Sequence, residues 1–291
     1  MEYLAHLLVL IGVYTILTIS VNLLTGIAGQ ISLSQGAFLG VGAYVYAILS
    51  TQYGFSLGVC LLSSVLISGT LGLVIAFLAI RQSKNTFPLV TFGFQIIMML
   101  LINNLDSITN GSKGIYGIPG ILPRSWNNQQ LSFAFIVWLS VLVLLFFQVR
   151  VKQTQFGRIL MTLRESEVEA AVTGKNTNHA KISVFVVSSI IASYSGILYA
   201  AYISYIDPTA FSFNESILAI TCMIIGGTGT NMGPLLGTAL ILVLPETLRL
   251  FNIQEVGFAN LRQIIYGLLL IIFIRLKPRG ILNGFSNEDT T

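Results

Sequence analysis

The chain has 291 residues, of which 54% are hydrophobic and only 9% charged, against roughly 25% charged in an ordinary soluble domain. With a mean hydropathy of +0.83, this composition cannot be folded behind a water-facing surface, which excludes a soluble globular enzyme. A bilayer-spanning helix takes about 20 apolar residues, so eight or nine of them would use about 160–180 and leave no room for a separate soluble catalytic domain.

In chain order the apolar runs cover residues 4–24, 36–50, 56–80, 86–102, 131–149, 182–203, 215–225, 235–250 and 261–274. They read as helices, because an open strand edge cannot be satisfied in lipid. The predicted fold is an all-α integral membrane protein of about 8–10 transmembrane helices. Residues 1–291 form one transmembrane domain, with a first half at 1–149, a charged loop at 150–181 and a second half at 182–291. No basic residue precedes the first run and no cleavage site follows it, so it reads as a retained span.

The formal net charge of +4 is unevenly distributed. Arg150, Lys152, Arg158, Arg164, Lys175 and Lys181 lie in the charged loop, and Arg275, Lys277 and Arg279 follow the last run. These, with Arg81 and Lys84, read as positive-inside topology and not as a nucleic-acid surface. The loops at 103–130 and 204–214 then fall outside and 226–234 turns inside; the topology before residue 57 is left open. Cys60 and Cys222, both inside apolar runs, are too few for a disulfide framework or metal site.

Within the charged loop, Phe156, Ile159, Leu160 and Leu163 recur at the spacing of one helical stripe. Gly174 is the natural stop of that amphipathic helix. Two readings fit it: a connector lying on lipid headgroups, and a docking element for a partner inside the cell.

Two glycine-interrupted stretches stand out. Gly29, Gly36 and Gly40 are matched by Gly226, Gly233 and Gly237, each pair 197 residues apart. Paired broken or re-entrant helices in two pseudo-repeated halves point to a translocation pathway. Candidate pathway residues are Gly29, Gln30, Ser32, Ser34, Gln35 and Gly36 in the first break, and Gly226, Gly227, Thr228, Gly229, Thr230, Asn231 and Gly233 in the second. The alternative is close helix packing through small residues, the preferred reading for Gly40, Gly42, Gly69, Gly72, Gly237 and Gly267.

Charges inside the membrane are few. Glu246 and Arg249 are spaced to pair on one helix, and Glu215 opens a run after Asp207-Pro208 with its acid at the positive helix end. No relay of acids suited to proton or sodium coupling is present, and no P-loop motif or metal-spaced cluster occurs.

Residues 25–44, with 89–94, 109–119, 156–160, Arg164-Glu165, Glu169-Ala170-Ala171, 226–234 and 277–280, resemble in order the sequence blocks of the LivM-type permeases of branched-chain amino-acid ABC importers. The match runs over nearly the whole chain. The resemblance implies a second homologous LivH-type permease, two cytoplasmic ABC ATPase subunits, an extracytoplasmic substrate-binding protein and a bacterial inner-membrane location. No cofactor is expected on this chain, since ATP and magnesium belong to the ATPase subunits. It further implies that Arg164, Glu165, Glu169, Ala170, Ala171 and Gly174 form an EAA-type coupling sequence, although the interval from the alanines to Gly174 is shorter than the family pattern. Gln95 stands where relatives often carry an acid, which leaves a neutral hydrogen-bonding group in the pathway set.

The function implied is ATP-driven import of leucine, isoleucine and valine by alternating access. Permeases of the same family for urea, amides or aromatic acids are alternatives, as is a secondary transporter driven by an ion gradient, which would also fit broken helices. A membrane-embedded enzyme lacks a catalytic constellation.

Overall fold

The computed structural model describes residues 2–79, 86–121, 129–166, 170, 176–250, 268 and 280–282. Helix α1 (Glu2–Val21) runs straight into a π-helical turn (Asn22–Ile27), and an irregular stretch leads to α2 (Gln35–Thr51). There follow α3 (Leu57–Ala79), α4 (Phe87–Asn104), the single turn α5 (Asp106–Thr109) and strand β1 (Ile115–Tyr116). Helix α6 (Gln129–Gln153) turns sharply into α7 (Gln155–Glu165), and α8 (Thr177–Ile203) leads to β2 (Tyr205–Ile206). A short hairpin of α9 (Phe213–Gly226) and α10 (Gly233–Leu250) completes the described helices. The all-α membrane architecture is as the composition requires. The expected run at 261–274, Gly267 and the basic residues at 81, 84, 275, 277 and 279 lie outside the described residues, as do the side chains of Glu246 and Arg249.

Five of the described helices are long and apolar enough to cross a bilayer, and their burial sorts them into layers. The span Tyr3–Ile27 is 83% buried and α8 is 61% buried, whereas α3, α4 and α6 are only 28–33% buried. A helix that is apolar all round and enclosed is a core element, so α1 and α8 form the centre. The outward faces of α3, α4 and α6, with Leu66, Leu89, Phe135 and Phe146 exposed, suit a lipid environment.

Small residues set the central distances. A Cβ on Gly42 would lie 1.8 Å from the Ser193 carbonyl oxygen, and one on Gly196 1.9 Å from that of Leu39, so α2 and α8 touch backbone to backbone. Gly237 meets the Cys222 carbonyl in the same way inside the α9–α10 hairpin. The packing reading therefore holds for Gly42 and Gly237. It fails for Gly69, whose nearest neighbour, the Ile190 side chain, lies at an ordinary 3.6 Å: the neighbouring helix presents a long flexible side chain there and needs no close approach. Serine pairs stitch the same core, Ser64 to Ser193 at 2.6 Å and the Ser189 hydroxyl to the Ser68 carbonyl at 3.2 Å.

The two ends of the bundle are chemically distinct. At one end β1 and β2 pair antiparallel, Ile115 with Ile206 and Tyr116 with Tyr205, which puts the described part of the 103–130 loop and the 204–214 loop on one side as the charge pattern predicts. His6 Nδ1 lies 2.8 Å from the Tyr202 hydroxyl, and the Tyr46 hydroxyl donates to the Pro119 carbonyl at 2.7 Å. The start of α1 and the end of α2 therefore sit at this ribbon end, and the topology before residue 57, open in the sequence, becomes a descent by α1 and a return by α2. Lys152 and Arg164 mark the opposite, basic end, where both interrupted stretches meet.

Replacing Gly196 with leucine should drive α2 and α8 apart and cost at least about 2–3 kcal/mol, by the usual penalty of overpacking. Gly58→Leu, at a glycine with nothing within 4 Å, serves as control and should cost under about 0.5 kcal/mol. Thermal unfolding in detergent distinguishes the two, and equal midpoints would contradict the packing described.

Candidate functional site

Helical winding stops at 28–34 and again at 227–232. In the first break Gly29 takes φ +70°, a left-handed conformation that suits glycine. The Thr25 hydroxyl ties the segment by donating to the Gln30 carbonyl at 3.0 Å. The Ser32 and Ser34 hydroxyls pair at 2.9 Å, and the Leu33 N–H donates to Thr91 Oγ1 at 3.1 Å.

Helix α2 then begins deep inside the bundle, where its first N–H groups have no intrahelical acceptor. The Gly36 N–H donates to Ser216 Oγ at 2.8 Å and the Ala37 N–H to Gln95 Oε1 at 2.6 Å. Gln95 Nε2 donates in turn to the Phe211 carbonyl at 2.9 Å. Gln35 Nε2 donates to Ser188 Oγ at 3.0 Å. Gln95 thus accepts on one side and donates on the other, a pairing that an ionised acid cannot reproduce.

The second break is a tight turn, with Gly227 at φ +115° and Gly229 at φ +72°. Thr230 Oγ1 donates to the Gly227 carbonyl at 2.8 Å and accepts the Gly233 N–H at 3.0 Å. The short piece 280–282 closes over it, with the Ile281 N–H donating to the Ile225 carbonyl at 2.9 Å and Gly280 against Gly227.

The two breaks meet at the basic end. Asn22 Nδ2 donates to the Thr230 carbonyl at 2.9 Å while its Oδ1 accepts the Gly229 N–H at 2.8 Å. Gln148 Nε2 reaches the same Thr230 carbonyl at 3.1 Å. Lys152 Nζ donates to the Gly229 carbonyl and, at 2.7 Å, to Asn231 Oδ1. Helix α7 reaches the π turn before the first break and the second break itself through one side chain: the Arg164 guanidinium donates to the Gly26 carbonyl and, at 3.5 Å, to Thr228 Oγ1. Gly29 packs on the stem of Arg164, 2.9 Å from its Cγ to a Cβ built there.

Helix α7 is the amphipathic helix predicted, with Leu160 and Leu163 buried and Arg158 and Glu165 exposed. Its start is capped by Thr154 Oγ1, which accepts the Gly157 N–H at 3.2 Å. Its end differs from the expectation of Gly174. The helix stops at Glu165, because Ser166 is extended (φ −151°, ψ 119°) and its N–H closes the last turn on the Thr162 carbonyl. Ala170 is buried beyond it. Glu169, Ala171 and Gly174 lie outside the described residues.

The predicted residues therefore separate into two groups. Gly29, Arg164, Thr228, Gly229 and Asn231 converge at the basic end, with Gly226, Gly227 and Gly233 shaping the turn. Ser34, Gln35, Gly36 and Gln95 gather deeper, around the start of α2. Gln30, Ser32, Ser34, Gln35 and Gln95 are all buried by the chain's own helices. Sequence reading missed Asn22, Gln148, Lys152 and Ser216 as site residues. Asn22 was visible as a lone amide ending an apolar run, and Gln148 and Lys152 by their four-residue spacing on one helix face. Ser216 carried no signal.

Comparison with known proteins agrees with this architecture. A family profile described as "Branched-chain amino acid transport system / permease component" matches residues 3–274. The LivM high-affinity branched-chain amino acid permease of Salmonella typhimurium is 29% identical, over 93% of this chain and 68% of that protein. The LivM protein of Escherichia coli K12 is 28% identical over the same shares. LivH of Escherichia coli K12 is 24% identical, over 92% of this chain and 91% of its own length. No solved structure matches.

Gln95→Ala should orphan the Ala37 N–H, the Ser216 hydroxyl and the Phe211 carbonyl together. A loss of about 1–3 kcal/mol is expected from buried groups left unpaired, read as a lower unfolding midpoint in detergent. An unchanged midpoint would mean that Gln95 does not hold the start of α2.

Proposed function

The chain belongs to the family of branched-chain amino acid transport permeases, and from that membership we propose that its α7 is the element through which partner ATPases drive transport. The protein is a multi-pass permease subunit of an importer and not itself an enzyme. Its substrates are leucine, isoleucine and valine, the class named for its LivM and LivH relatives. It works in the bacterial inner membrane beside a LivH-type permease, with two cytoplasmic ATPase subunits that carry ATP and magnesium, and a binding protein that delivers substrate from outside. The basic end then faces the cytoplasm, in keeping with the positive-inside rule.

One observation carries this reading: Arg164 of α7 donates to the Gly26 carbonyl in the π turn, packs on Gly29 in the first break and donates to a hydroxyl in the second. A push on α7 by a closing ATPase is thereby delivered to both interrupted segments at once. The apolar stripe of α7 lies on the bundle and its polar face is open at the basic end, so one helix can take a partner on one side and move the permease on the other. Alternating access follows when the second break, carried by α7, shifts against the core of α1 and α8.

In proteoliposomes holding the complete importer, Arg164→Ala should lower substrate uptake by about tenfold or more while ATP hydrolysis stays within about twofold, since charge-assisted hydrogen bonds of this kind contribute about 1.5–3 kcal/mol. Uptake and hydrolysis both at wild-type levels would remove α7 from the mechanism.

A further inference from the structure

The second break exposes three backbone polar groups and one side-chain oxygen toward the bundle: the Gly229 N–H, the Gly229 and Thr230 carbonyls and Asn231 Oδ1. All four are met by three side chains from two other helical segments. Asn22 takes the Gly229 N–H and the Thr230 carbonyl, Gln148 shares the Thr230 carbonyl, and Lys152 takes the Gly229 carbonyl and Asn231 Oδ1. We infer that Asn22 is the positioning residue of a gate at the basic end, holding the second break shut against the π turn that leads into the first, with Gln148 and Lys152 as its counterpart on α6. The inference rests on the permease reading above and assigns the moving part to residues 228–231.

The chemistry of Asn22 suits this task. A carboxamide presents one donor and one acceptor side by side, so it can replace a backbone partner for two successive residues of an irregular segment. Asn22 is fully buried, at the start of the π turn. Gly26, one turn on, admits the other chain: a Cβ there would lie 2.1 Å from Asn22 Oδ1 and 2.7 Å from the Gly229 nitrogen. The contact is thus made of hydrogen bonds across glycine backbone, without interlocked apolar side chains, and can be broken without repacking the core.

The closed arrangement is also incomplete. Gln148 Oε1 is buried and has no hydrogen-bond partner among the described residues, so the shut gate leaves an acceptor on α6 unsatisfied within them. Movement of the loop would let water reach it, which lowers the cost of opening. Residues 280–282 hold the base of the loop at 225–227, and Met232 at its outer side is exposed.

Amide hydrogen exchange on the reconstituted importer, with its partner permease and ATPases, tests the gate. In the wild-type complex, protection over 228–231 should differ by about tenfold between the nucleotide-free and vanadate-trapped states. Asn22→Ala should raise exchange there by about tenfold in the nucleotide-free state, leaving peptides from α1 and α8 unchanged. Lys152→Met should produce a local rise at the same segment. Wild-type protection in both variants, or a rise spread evenly over α1, α8, α9 and α10, would overturn the gate. Either result leaves the coupling reading standing, because that reading fails instead on normal uptake by Arg164→Ala.

Discussion

Backbone groups that leave a helix inside a bilayer have no water to turn to, and each one left unpaired costs several kcal/mol. Two interrupted segments in this bundle impose that requirement, and the surrounding structure answers it group by group. Ser216 and Gln95 take the first N–H groups of α2. In the second break Asn22 accepts the Gly229 N–H, Gln148 donates to the Thr230 carbonyl and Lys152 to the Gly229 carbonyl, and Arg164 donates to the carbonyl at Gly26. The buried amides Asn22, Gln95 and Gln148 of an otherwise apolar chain thereby serve backbone groups at or beside the breaks. A single change at one of them is felt by a backbone group on another helix.

The two clusters differ in what they can permit. Around the start of α2, Gln95, Ser216, Gln35 and Ser188 are all buried and mutually bonded. They fix the helix start within a core where glycines bring α2 and α8 into backbone contact. At the basic end the partners are Asn22 of the π turn and long side chains from α6 and α7, and the loop they hold is exposed at Met232. Rigidity lies in the centre and freedom at the surface, as a transporter driven from one face requires.

Much of this was legible in the sequence because lipid leaves few choices. Composition alone gave a helical membrane protein, the basic residues gave the sidedness of the 103–130 and 204–214 loops that the β1–β2 pairing then joins, and the apolar stripe at Phe156, Ile159, Leu160 and Leu163 gave α7. What escaped depends on contacts between residues far apart in the chain. Asn22 and Thr230 are separated by 208 positions, and nothing local to either announces the other. Lys152 looked like one more inside-positive charge until its reach onto Gly229 and Asn231 was seen. An extended Ser166 interrupts the helix expected to run on toward Gly174, although Ala170 is helical again with its N–H on the Ser166 carbonyl, and such a next-residue conformation is beyond pattern reading. Gly69 was assigned to close packing because glycine usually serves it, and the neighbour proved to be a side chain.

The central claim is that α7 and the second break move as one body against the core. Spin labels at three exposed positions, Arg158 on α7, Met232 on the second break and Ser183 on α8, measure it directly in the reconstituted importer by pulsed electron spin resonance. The account predicts that trapping the ATPases changes the Met232–Ser183 separation while the Arg158–Met232 separation stays the same. A changed Arg158–Met232 separation beside a constant Met232–Ser183 one would show that α7 moves without carrying the break, and would contradict the account.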